Sequence, residues 1–107
     1  MNQDTLNRLF SFLEKDPEDA FTLYSIAYEY AKGNQHLSAI QYFIKLKEVH
    51  PQYVGLYYHL GKAYEKEKKE EEAANTYQEG IKMARQQRDT HALSELQNAL
   101  NELWEDD

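Results

Sequence analysis

Phe21, Tyr24, Tyr28 and Lys32 follow one another at intervals of three and four residues, and Tyr58, Lys62 and Lys66 do the same further along the chain. On a helix, residues at that spacing share a face. The chemistry such faces can do is non-covalent. Tyrosine rings offer apolar area and a hydroxyl with few rotors to freeze, which suits them to interfaces. Lys62 and Lys66 can meet a carboxylate, with Lys62, in the middle of the series, the principal candidate. A third stripe, His91, Ser94, Asn98, Asn101 and Glu102, is polar, and the Asn98 amide can hydrogen-bond a peptide backbone. The same spacing allows a second reading, in which the rings are core and Lys62 and Lys66 pair with Glu65 or Glu70.

Reactive chemistry finds no support. His36, His50, His59 and His91 are the whole histidine supply, no two of them lie four apart, and the chain has no cysteine, so neither a metal site nor a disulfide is expected. Ser11, Ser25, Ser38 and Ser94 stand outside any nucleophile-elbow context, and no glycine-rich phosphate loop is present. The expectation is a non-enzyme without cofactor or metal. A formal charge of −7 opposes the phosphate contacts of nucleic-acid binding and favours solubility. No apolar run approaches the roughly 20 residues that span a bilayer. If Met1 is the true start, the polar residues after it imply a cytoplasmic protein.

Six helical segments must position these residues. The first, about Gln3 to Lys15, carries Leu6, Leu9, Phe10 and Leu13 on one stripe. Asp16–Pro17 ends it and starts the second, with Asp16 as cap and Pro17 at the first helical position. The second runs to Lys32 and stops at Gly33–Asn34, residues that tolerate the left-handed conformation. The third runs from His36 to Val49, where His50–Pro51 breaks it. The fourth covers Tyr53 to Glu67. The turn Lys68–Lys69 has neither Gly nor Asn, so a non-glycine residue is expected at positive φ there, costing about 1 kcal/mol. The fifth runs from Glu70 to Gln87 with Gly80 inside it. Asp89 or Thr90 caps the sixth, which carries Leu93, Leu96, Leu100 and Leu103. Trp104 falls near that stripe and is expected to be buried. The tail Glu105–Asp106–Asp107 is expected to fray.

Leu23, Ile26, Ala27, Tyr30, Ala39 and Phe43 recur 34 residues later as Tyr57, Leu60, Gly61, Tyr64, Ala73 and Tyr77, and Pro17 and Pro51 lie one period apart. The two copies resemble the tetratricopeptide repeat: Leu23-x2-Ile26-Ala27-x2-Tyr30, Ala39-x3-Phe43 and Pro51, then Tyr57-x2-Leu60-Gly61-x2-Tyr64 and Ala73-x3-Tyr77, with Arg85 where a closing proline would stand. The resemblance implies an all-α, right-handed superhelical array of antiparallel helix pairs, an α-solenoid of six helices in one domain spanning 1–107. It divides into an N-terminal half repeat (3–15), repeats at 18–50 and 53–87, and a capping helix at 90–104. The first segment aligns with the second helix of a repeat, with Leu9 lying 34 residues before Phe43 and Thr5 where Ala39 predicts a small residue. The sixth aligns with a first helix, Leu93-x2-Leu96-Gln97-x2-Leu100, lying 36 residues after the second copy.

With Leu23 at zero and about 100° per residue, Ile26, Ala27 and Tyr30 form the core stripe, whereas Phe21, Tyr24, Tyr28 and Lys32 lie on another face. In this family that face of each first helix lines a concave groove. The resemblance therefore implies a protein- or peptide-binding adaptor or scaffold. Its groove would be lined by Phe21, Tyr24, Tyr28, Lys32, Tyr58, Lys62, Lys66 and Asn98, grading from aromatic through cationic to neutral polar. The Lys/Asn clamp with which some members hold C-terminal carboxylates is absent, since Tyr24 and Tyr28 occupy its first pair of positions. The alternative is a self-associating structural module that docks through its end helices. The polar outer face of the sixth segment, His91, Glu95, Asn98, Asn101 and Glu102, favours a solvated cap and hence a monomer.

Overall fold

The structure, a computed structural model, describes residues 1–105. Asp106 and Asp107, on which part of the expected frayed tail falls, lie outside the described residues. The described residues form six helices and no strand: α1 (Gln3–Lys15), α2 (Ala20–Lys32), α3 (His36–Val49), α4 (Gly55–Lys66), α5 (Glu70–Gln87) and α6 (Thr90–Leu103). They fall into two compact units. In the first, Met1–Tyr53, α2 pairs with α3 and α1 packs on α2. In the second, from Val54 onward, α5 packs against both α4 and α6, and α4 also touches α6.

Side-chain caps set three of the helix starts. The Asn2 side chain accepts the Thr5 N–H at 3.1 Å, and Asp89 accepts that of Ala92 at 3.0 Å. Asp19 accepts both the N–H of Thr22 at 3.0 Å and its hydroxyl at 2.7 Å. Those two bonds hold the Asp19 carboxyl below the ordinary range, the Thr22 hydroxyl contributing most. This corrects the expected start at Asp16–Pro17. Asp16 belongs to the end of α1, its N–H donating to the Phe12 carbonyl, and α2 begins only at Ala20, where Asp19 reaches two donors at once.

The helix stops repeat with the period of the sequence. Asn34 and Lys68, 34 residues apart, both sit at φ 60°. After each, a backbone N–H reaches five residues back at 2.9 Å: Gln35 to the Tyr30 carbonyl and Lys69 to that of Tyr64. The positive φ expected in the Lys68–Lys69 turn is found at Lys68. Arg88, φ 56°, closes α5 in the same way through Asp89 N–H to Ala84, without a glycine or asparagine to announce it.

Most of the recurring positions are core, with Tyr30 and Tyr64 half-buried. Leu23, Ile26, Ala27, Ala39 and Phe43 are buried in the first unit, as are Tyr57, Leu60, Gly61, Ala73 and Tyr77 in the second. Two glycines permit the close approach of helices in the second unit. A Cβ on Gly61 would stand 2.6 Å from Cζ of Tyr77, and one on Gly80 would stand 2.5 Å from Cβ of Tyr57. Glycine is therefore present mid-helix despite a cost near 1 kcal/mol relative to alanine. Trp104 corrects the expectation of burial: it is 57% exposed. The helix ends at Leu103, so Trp104 no longer follows the i, i+4 stripe from Leu100. No helix among the described residues is long and apolar enough to cross a membrane.

Candidate functional site

In the first unit the second stripe of α2 is an aromatic ladder ending in a cation. Tyr24 and Tyr28 stack with centroids 6.0 Å apart and planes within 8°. Tyr24 is half-buried. Its ring meets Phe43 of α3 edge-on at 6.1 Å and Tyr53 at 5.3 Å. Tyr28 is 39% exposed, and the Lys32 ammonium lies 5.3 Å from its ring centroid. The two readings that the spacing allowed thus divide along one helix: Tyr24 is partly core and Tyr28 is open.

Glu29 holds Lys32 in place. Its carboxylate is nearly buried, lies 3.0 Å from Nζ of Lys32 and accepts the Asn2 N–H at 2.8 Å. The hydrogen bond from Lys32 and then that from Asn2 keep the Glu29 carboxyl below its usual range. The start of the chain is thereby tied to the end of α2. Phe21, 68% exposed, lines a different hollow, shared with Leu9 and Phe12 of α1.

In the second unit, Tyr58 and Lys62 of α4 and Asn98 of α6 line one hollow of about 200 Å³, together with Glu95, Ala99 and Glu102. Lys62 stands 5.5 Å from the Tyr58 centroid and 3.6 Å from the Glu65 carboxylate. Glu65 in turn accepts the hydroxyl hydrogen of Tyr77. Burial first, and then that bond to a carboxylate, drive the Tyr77 phenol far above its ordinary range. Lys66 is exposed and is not among the residues lining the hollow.

The charge of this hollow differs from the cationic middle expected of the sequence. Lys62 is the single ammonium lining it, against the two carboxylates of Glu95 and Glu102, so the lining is net negative. The sequence puts Glu95 on the polar outer face of its helix and Glu102 in a polar stripe taken as neutral. The signal for both was the spacing Glu95, Asn98, Glu102, which is i, i+3, i+7 and therefore one face. His59, half-buried on α4, is held below its usual pKa by burial, with Glu95 partly opposing the shift.

Known proteins share this architecture. A family model for the tetratricopeptide repeat matches residues 54–87. The chain is similar to a tetratricopeptide repeat domain protein from Salinibacter ruber, solved in solution, at 44% identity over 83% of this chain and 90% of that one, TM-score 0.77. A Bordetella parapertussis protein superposes at TM-score 0.81 with 21% identity, over 92% of this chain and 85% of that one. The tetratricopeptide repeat domain of Sgt2 from Aspergillus fumigatus does so at 0.72 with 20% identity, over 91% and 66%. Among curated proteins, none matches the chain.

Proposed function

This chain belongs to the tetratricopeptide repeat family, and we propose that it is a non-enzymatic adaptor that holds an extended segment of another protein against the open face of α4, beside α6. The family's fold serves protein interaction in general. The observation that carries the finer reading is the convergence of Tyr58, Lys62 and Asn98 on one hollow. The Tyr58 ring offers a flat apolar contact, and the Asn98 amide can donate to and accept from a peptide backbone. Lys62 lies near both the Tyr58 ring and Glu65. Glu95 and Glu102 then favour a lysine or arginine in the bound segment over a free carboxylate. In the first unit, taken by itself, the exposed Tyr28–Lys32 pair offers a ring and an ammonium of the same kind. The adaptor acts as a monomer in the cytoplasm, and its ligand is protein rather than nucleic acid or membrane.

Selection of random dodecapeptides on the immobilised chain tests this. The expected outcome is enrichment of peptides carrying a basic residue, whose binding falls at least about fivefold in Tyr58→Ala and Asn98→Ala at unchanged helix content. Selected peptides that bind those two variants as well as the parent would refute the reading.

A further inference from the structure

The 34-residue period relates Leu9 and Phe12 of α1 to Phe43 and Leu46 of α3, and to Tyr77 and Gly80 of α5. In α3 and α5 all four of these residues are buried. The face they form is covered by the preceding helix of the pair: Phe43 meets Tyr24 of α2, and Tyr77 presses against Gly61 of α4. On α1 the equivalent face is uncovered among the described residues. Phe12 is 57% exposed, Leu9 is half-buried, and with Phe21 they line an open, mostly apolar hollow of about 430 Å³. Exposed aromatic area gathered in this way marks an interaction surface.

We propose that this face of α1 docks an amphipathic helix of a partner protein, lying antiparallel to α1 as α2 lies to α3. The chain's own repeats specify the occupant. α2 packs on α3 with Leu23, Ile26 and the small Ala27 buried and Tyr30 stacked on Tyr42, so the docked helix carries bulky apolar residues at i, i+3 and i+7 and an alanine or glycine at i+4. Running antiparallel, it brings its positive N-terminal pole to the C-terminal end of α1, where Asp16 and Asp19 outnumber Lys15 in the lining of the hollow. Its first turn is therefore neutral or basic. The α6 helix of a second copy fits poorly, because Gln97 stands where Ala27 and Gly61 provide the close approach. This surface is separate from the stripe of Tyr24, Tyr28 and Lys32.

The probe is a fluorescently labelled, acetylated and amidated peptide of residues 20–33, the helix that covers the equivalent face of α3, titrated with the whole chain by anisotropy. One-to-one saturable binding is expected, weakened at least about tenfold by Phe12→Asp. Leu37→Asp, which introduces the same charge at an equally exposed apolar residue of α3, is expected to leave binding within about twofold. Circular dichroism of Phe12→Asp is expected to match the parent, because the ring is exposed. Three results would overturn the proposal. The first is no saturation up to about 1 mM peptide. The second is equal binding by the parent and Phe12→Asp, or equal weakening in Leu37→Asp. The third is a doubled mass in light scattering that Phe12→Asp abolishes without any peptide binding, which would assign the face to a second copy.

Discussion

Replacing Gly61 by alanine should destabilise the protein, although alanine is the better helix former. The new Cβ would lie 2.6 Å from Cζ and 2.7 Å from Cδ1 of Tyr77, with Cε1 closer still. That ring has little room to yield, since it is fully buried and its hydroxyl is bonded to Glu65. Overpacking of this kind costs about 1–3 kcal/mol, and a ring anchored at its far end belongs at the upper limit. The gain in helix propensity returns about 1 kcal/mol, leaving a net loss near 2 kcal/mol. For a domain of this size that lowers the melting temperature by about 10 °C. The first repeat suggests the remedy. There Ala27 and Phe43 occupy the equivalent positions, both fully buried, and Phe43 has no hydroxyl to tether it. Adding Tyr77→Phe to Gly61→Ala recreates that pair and should recover about 1 kcal/mol relative to the sum of the single changes. Urea denaturation of the four proteins, followed by circular dichroism, measures the cycle. A Gly61→Ala variant as stable as the parent would refute the reasoning.

Lys68→Gly should raise stability by about 1 kcal/mol in the same assay, because Lys68 sits at φ 60° and glycine adopts that conformation without the Cβ penalty. His59 should make stability depend on pH. Burial lowers its folded pKa below that of an ordinary histidine, so the unfolded chain takes up the proton first. Stability is therefore full above the unfolded pKa, declines as pH falls from the unfolded pKa through the lower folded one, and levels off below it. His59→Gln should flatten the denaturation midpoint across that window, and an unchanged slope would show that another group titrates there.

The helical period and the 34-residue repeat determined most of the fold from the amino-acid order alone. Both act locally, since apolar spacing, an aspartate cap or an asparagine stop needs only its own few neighbours to operate. Hence the stops of α2 and α4 were legible, as was the buried set from Leu23 to Tyr77. The start of α2 is ambiguous in the sequence because Asp16 and Asp19 are both capping residues, and only the two bonds to Thr22 separate them. Which side chains meet across helices was a tertiary decision. A helical wheel assigns Glu95 and Tyr24 an angle about their own axes, and packing decides that Glu95 lines one hollow with Lys62 and that Tyr24 leans on Phe43. End effects were likewise invisible to the pattern. Phe12 keeps the register of a core residue and Trp104 sits one step past the last turn of its stripe, yet both are exposed, because burial depends on a neighbouring surface that periodicity does not encode.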